Sequence, residues 1–316
     1  MSLTTLPLFE ALASAERVLV AGAGGGFDVY AGVPLMLALE RLGKRVHLAN
    51  YSFARLDGLD GRRLAPGLVT VTADTEDGPD YLPERELSRW FREARGREVP
   101  VHAFSAAGVV PVREGYAALA EALDLDAVVL VDGGTDSLMR GDEAGLGTPA
   151  EDAVSLAAVA ALDGPPIRLL TCVGFGIDAF HGVCHAHFLE AVAALQREGA
   201  FLGAASLLPG MPEADAYVAL VDAVHARHRT SIVNGSIASA IEGAYGDVHR
   251  TPRTRGSQLW INPLMSLIWS FQLAPVAARN LYLPLLRHTR TLMEVNAIVE
   301  AFRKGRPARG REIIPV

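Results

Sequence analysis

Short apolar runs and helical periodicities alternate along most of this chain. Residues 17–21 (RVLVA), 45–50, 68–72, 99–104, 127–131 and 167–173 are runs rich in Val, Leu and Ile. Gly, Pro, Asp or Asn bounds each of them, as expected of buried strands. Between them lie segments of helical spacing at residues 29–42, 83–94, 111–123 and 148–162. Thr148-Pro149-Ala150-Glu151 predicts a capped helix start, with Thr148 as N-cap, Pro149 in the first turn and Glu151 three residues after the cap. Strands alternating with helices in this way predict an α/β fold: a doubly wound, mostly parallel, Rossmann-like sheet with helices on both faces. The pattern changes near residue 200. Residues 210–228, 230–244 and 285–302 read as helices, and residues 257–271 (SQLWINPLMSLIWSF) as an aromatic stretch that completes the core or covers an oligomer interface. The expected organisation is a core over residues 1–200 and a helical C-terminal portion over 201–316 packed on it, in one domain or two, with a mobile basic tail at residues 303–311.

Composition narrows the partners. A net charge of -7 argues against a broad nucleic-acid surface. No apolar run reaches the roughly 18 residues of a membrane span. The opening MSLTTLPLFEALASAER lacks a basic region ahead of a hydrophobic one, so no membrane association is expected and the expected location is the cytoplasm. Cys172 and Cys184 are too few for a disulfide framework, which agrees with a reducing compartment. The expected partners are a small-molecule ligand and further copies of the chain. Residues 74–80 form a strongly acidic stretch that reads as a solvated turn.

Polar chemistry gathers where three expected strands end. After residue 21 come Gly22, Gly24, Gly25, Gly26 and Asp28, glycines that would let a phosphate approach backbone amides at a helix start. The third glycine of the dinucleotide fingerprint is missing, and Asn50 stands where an acid would follow the second strand, so a plain tight turn is the alternative. Asp28 either caps its helix or faces a site. After residue 131 come Asp132, Gly133, Gly134, Thr135, Asp136 and Ser137. Two carboxylates four residues apart could hold a divalent cation; the alternative is a turn that Asp132 caps. After residue 173 come Asp178, His181 and His185. If both histidines are helical, they lie one turn apart at metal-binding spacing, although the Glu of an HExxH motif is absent; the alternative is one histidine held by backbone and one in the core.

DGGTDS is similar to the SGGxDS loop of the ATP pyrophosphatases at Gly133, Gly134, Asp136 and Ser137. Asp132 replaces the leading serine, and its charge would repel phosphate unless a cation intervened. Taken together, AGAGGGFDVYAGVPL at residues 21–35, LANYSF at 48–53, DGGTDSLMRGDE at 132–143 and GIDAFHGVCHAHFLE at 176–190 resemble the domain of unknown function 1152 family over nearly the whole chain. The resemblance implies that Asp28, Asn50, Asp132, Asp136, Asp142, Glu143 and His181 belong to one recurrent pattern, read as a shared cleft. The reading is a polar cleft at the strand ends that binds a small phosphorylated or nucleotide-like ligand. Gly24 to Gly26 contact phosphate, Asp132 and Asp136 hold a divalent cation or ligand hydroxyls, and His181 is acid or base with Asp28 beside it. The reaction would be hydrolysis or group transfer; the alternative is a non-catalytic binding or sensing module.

Overall fold

The computed structural model describes residues 4–76, 81–227 and 229–314. Part of the acidic turn, residues 77–80, and His228 lie outside the described residues. One sheet organises the chain. Its strands are β1 (Arg17–Gly22), β2 (Arg45–Ser52), β3 (Arg63–Ala65), β4 (Leu68–Val71), β5 (Val101–Ser105), β6 (Ala127–Asp132), β7 (Ile167–Cys172), β8 (Phe201–Ser206) and β9 (Leu267–Gln272). Across the sheet they stand in the order β3-β4-β5-β2-β1-β6-β7-β9-β8.

The centre of this order, β5-β2-β1-β6-β7, is parallel throughout. An antiparallel pair closes each side, β4 and β3 beyond β5, and β9 and β8 beyond β7. The chain winds outward from β1 through β2 to β5, then starts again at β6 on the other side of β1. Loops leaving the carboxyl ends of β1 and β6 therefore part in opposite directions and open a crevice between them.

Helices cover both faces, which is why the central strands are apolar on both sides; in β6 all six residues are buried. Side chains alternate across the sheet. Leu19, Ala21, Val128 and Leu130 meet one layer that includes Tyr116, Val154 and Val295. Val18, Val20, Val129 and Val131 meet the other, which includes Met36, Leu87 and Tyr217. The helices Val109–Leu123, Pro149–Ala160 and Leu292–Lys304 supply the first layer, and Val33–Arg41, Pro83–Arg95 and Pro212–Ala226 the second.

Three departures from the expected pattern have identifiable physical causes. Residues 29–42 form two helices, Asp28–Ala31 and Val33–Arg41, because Pro34 has no amide to continue the first one. At the joint, a Cβ on Gly32 would lie 2.6 Å from Val20 Cγ1, so glycine lets the chain lie close on the sheet. The C-terminal portion is not purely helical: β8 and β9 lie within it, and the sheet continues across residue 200. Residues 267–272 of the aromatic stretch cover the edge that β7 would otherwise expose. Phe271 is buried there, Trp269 stacks on Phe201, and Trp260 remains half exposed. The basic tail, expected to be mobile, is docked through Arg309, which pairs with Asp142 at 3.1 Å, Glu143 at 3.2 Å and Glu190 at 2.8 Å. No helix among the described residues is long and apolar enough to cross a membrane.

His102 on β5 is buried with its Nδ1 3.1 Å from Thr70 Oγ1 of β4. Burial, with repulsion from His47 and Arg62, pushes its pKa down from 6.5 to about 4. The folded state then binds fewer protons than the unfolded chain between these values, so stability is lost as pH falls through that window. At pH 5 this amounts to about 2 kcal/mol. Urea denaturation of wild type and His102→Asn at pH 7 and pH 5 should show the variant losing less stability by about that amount.

Candidate functional site

The crevice between the β1 and β6 loops is a cavity of about 410 Å³ into which five aspartates project. Asp28 comes from the turn after β1, Asp132 from the end of β6, and Asp136 from the turn that follows. Asp152 comes from the first turn of the helix Pro149–Ala160, and Asp178 from the 3-10 turn after β7. Among the described residues, Arg253 and the exposed His181 are the basic groups in the lining.

Backbone amides and threonine hydroxyls, rather than cationic side chains, hold most of these carboxylates. Asp28 Oδ2 accepts from the Gly24 amide at 2.7 Å. Asp132 accepts from Gly134 at 2.6 Å and from Ser137 at 3.1 Å. Asp136 Oδ2 accepts from the Thr148 amide at 2.7 Å and its hydroxyl at 3.2 Å. Asp178 Oδ2 accepts from the Thr135 amide at 2.7 Å and its hydroxyl at 3.4 Å. Thr148 therefore makes no side-chain cap, and the expected capping box at that helix start does not form; the tertiary acceptor has won.

Glycine is what allows the carboxylates so close to the chain. A Cβ on Gly24 would lie 2.7 Å from Asp28 Oδ2 and 2.8 Å from Asp152 Oδ1, and one on Gly133 would lie 2.8 Å from Asp28 Oδ1. On Gly134 it would lie 2.5 Å from Asp178 Oδ2. Gly25, at φ +91, turns the backbone under the Phe53 ring.

Burial acts on every carboxyl in the cluster, and repulsion from neighbouring carboxylates adds to it at Asp28, Asp132, Asp152 and Asp178. Desolvation is the leading cause in each case and holds Asp28, Asp152 and Asp178 well above the usual carboxylate range; Asp132 adds most to the rise at Asp28 and Asp152, and Asp136 at Asp178. Asp132 and Asp136 are also raised by burial, Asp132 further by the Asp136 charge. Asp132 thus both closes its own turn and faces the cavity. Asp28 opens the helix Asp28–Ala31 and ties back to Gly24, a role other than that of an N-cap.

Of the residues singled out from sequence, Asp28, Asp132, Asp136, Asp178, His181, Gly24, Gly25, Gly26, Gly133 and Gly134 line this one cavity. Gly22, Asn50, Thr135 and Ser137 stand behind it. Asn50 Nδ2 donates to the Gly26 carbonyl at 2.9 Å and to Glu84 Oε1 at 2.7 Å. Gly22 leaves space for Asn50 Oδ1, which would sit 2.2 Å from a Cβ there.

Three expected residues, Asp142, Glu143 and His185, lie elsewhere. Glu143 accepts from the amides of Arg140 at 3.1 Å and Gly141 at 2.8 Å and pairs with Arg309, so its charge is met away from the cavity, as is that of Asp142. His185 lines a separate hollow beside Trp260 and Phe180. It shares no helical face with His181: His181 ends a 3-10 turn, Gly182 takes φ +92, and His185 begins the next helix. The expected one-turn histidine pair is not formed.

Asp152, Phe53, Tyr81, Asn234 and Arg253 also line the cavity without having been anticipated as site residues. Asp152 carried a local signal. It precedes the buried Ser155 and Leu156 by one helical turn, which puts a carboxylate on the buried face of the helix. The others are brought in by strand order and by the C-terminal portion.

Fold and cavity together define an α/β protein with a carboxylate-lined crevice at the strand ends of its central sheet. The chain belongs to the family described as Protein of unknown function (DUF1152), whose profile matches residues 84–303. That segment takes in Asp132, Asp136, Asp152, Asp178, His181 and Arg253; the motifs at residues 21–35 and 48–53 lie ahead of it. No curated protein matches the chain.

Replacing one crowded carboxylate by its neutral isostere should relieve repulsion while keeping an acceptor for Thr135. Asp178→Asn is expected to stabilise the EDTA-treated protein at pH 8 by about 1–2 kcal/mol. A carboxyl whose folded pKa is raised contributes stability at low pH that is lost as pH climbs above its unfolded value. The advantage of the variant should therefore shrink by pH 5, which thermal unfolding at the two pH values checks.

Proposed function

We propose that the crevice binds a small phosphorylated or nucleotide-like ligand at the carboxyl ends of a doubly wound, Rossmann-like sheet, and that the protein is a metal-assisted hydrolase or group transferase. One observation carries this reading: Asp28, Asp132, Asp136 and His181, from three separate segments of the chain, face one cavity where the strand order reverses. Its volume of about 410 Å³ suits a small metabolite. Phe53 and Tyr81, both partly exposed, offer ring faces at the mouth on which a base could stack. Because the lining is acidic, an anionic ligand would need a divalent cation, which the crevice aspartates would hold and which would offset the phosphate charge. His181 at the rim serves as acid or base, a role worth about 10²–10⁴-fold in rate.

The test is a phosphatase, nucleosidase and group-transfer screen in Mg²⁺ or Mn²⁺, with Asp132→Asn and His181→Ala as controls. Turnover by the wild type should fall at least about 100-fold in each variant. Tight ligand binding without turnover would favour the sensing module instead. A panel that shows neither binding nor turnover would overturn the ligand reading.

A further inference from the structure

We infer that Asp28, Asp132 and Asp152 form a binding site for one hard divalent cation of the Mg²⁺ or Mn²⁺ class. The inference deepens the reading above by naming the residues that hold the cation. One carboxylate oxygen from each of the three lies within 4.8 Å of the others. Ligand oxygens about 2.1 Å from a Mg²⁺ stand roughly 3 Å apart when adjacent and about 4.2 Å apart when opposite. Of three octahedral ligands at most one pair is opposite, so side-chain rotation that brings the remaining pairs toward about 3 Å lets the three oxygens share an ion.

A second observation points to a missing partner. Asp152 Oδ1 is buried, in a residue only 3% exposed, and has no hydrogen-bond partner among the described residues. It faces the cavity and converges with Asp28 Oδ2 over Gly24, where both oxygens lie within 2.8 Å of the Cβ that glycine lacks. Asp136 and Asp178, by contrast, each direct an oxygen to a threonine amide and hydroxyl. The carboxylate that the fold leaves without a donor is the one placed beside two others.

The chemistry of the set selects the ion. All three ligands are carboxylate oxygens, with no imidazole or thiolate among them, which favours Mg²⁺, Mn²⁺ or Ca²⁺ over Zn²⁺ or Cu²⁺. They come from three separate segments: the turn after β1, the end of β6, and the first turn of the helix Pro149–Ala160. Asp28 and Asp132 are each oriented by backbone amides, which leaves a lone pair on every anchored oxygen free to coordinate. This differs from the pairing of Asp132 with Asp136 that sequence spacing suggested, because the carboxylate oxygens that converge with Asp132 are those of Asp28 and Asp152.

The experiment uses the full-length, EDTA-treated protein and Mn²⁺ alone, with no substrate. Isothermal titration and electron paramagnetic resonance should report one Mn²⁺ per chain, displaced by Mg²⁺. Crystals soaked in Mn²⁺ should give an anomalous peak among the three carboxylates. Asp152→Asn should weaken binding at least about tenfold while retaining the wild-type circular dichroism spectrum, and Asp28→Asn serves in its place if that variant fails to fold. Wild-type protein that binds neither Mn²⁺ nor Mg²⁺, or an anomalous peak elsewhere with unchanged binding by the variant, overturns the site. Since no turnover is measured, failure here and failure of the proposed reaction are separate results.

Discussion

Carboxylates do not gather in a protein interior without something to meet their charge, and meeting it is the constraint on which this structure turns. Each buried Asp gives up hydration that must be replaced by donors, by a proton or by a cation. Here the donors are largely main-chain amides of the loops that carry the aspartates, and they can approach because several of those loop positions have no Cβ. Glycine and aspartate in these corners are therefore two halves of one arrangement. The glycine supplies the room and the amide, and the aspartate supplies the charge that fixes the loop.

The sheet decides where this arrangement can exist. A parallel core covered by helices on both faces leaves its strand ends as the accessible edge, and the reversal of winding at β1 opens that edge between β1 and β6. The C-terminal portion then does two things. Through β9 and β8 it covers the open side of β7, and through the helix Ile232–Ile241 it walls the cavity. Asn234 joins the two roles: its Nδ2 donates to the Phe27 carbonyl at 3.2 Å, and its Oδ1 accepts from Tyr217 at 2.6 Å. A residue of the last third thus steadies the first glycine turn, so the site depends on the whole chain being folded.

The same logic separates charges that serve the cavity from charges that serve the fold. Asp142 and Glu143 follow Asp136 closely in sequence, yet Arg309 reaches them from the tail and neutralises them outside the crevice. Opposite charge within hydrogen-bond reach makes those carboxylates structural fastenings. Among the described residues no arginine, lysine or histidine pairs with Asp28, Asp132 or Asp152, and their charge is left facing the crevice.

Much of the architecture was legible from residues 17–173 alone, because buried parallel strands must be apolar on both faces and so appear as unbroken runs. Six strands and the helices between them follow from that rule, as do the acidic glycine corners at the ends of β1, β6 and β7. The strands β3, β8 and β9 escaped it: β3 is three residues long with none fully buried, β8 is half-buried and contains Gly203, and β9 sits in an aromatic stretch whose pairing with the β7 edge has no local signature. Sequence by itself thus determined which segments form the central parallel strands and which corners carry acid, since both depend on side chains a few residues apart. Only the tertiary structure decided that Asp152 joins Asp28 and Asp132 while Glu143 and His185 do not. Which polar groups meet is set by strand order and crossover, and these bring together residues that no local periodicity connects.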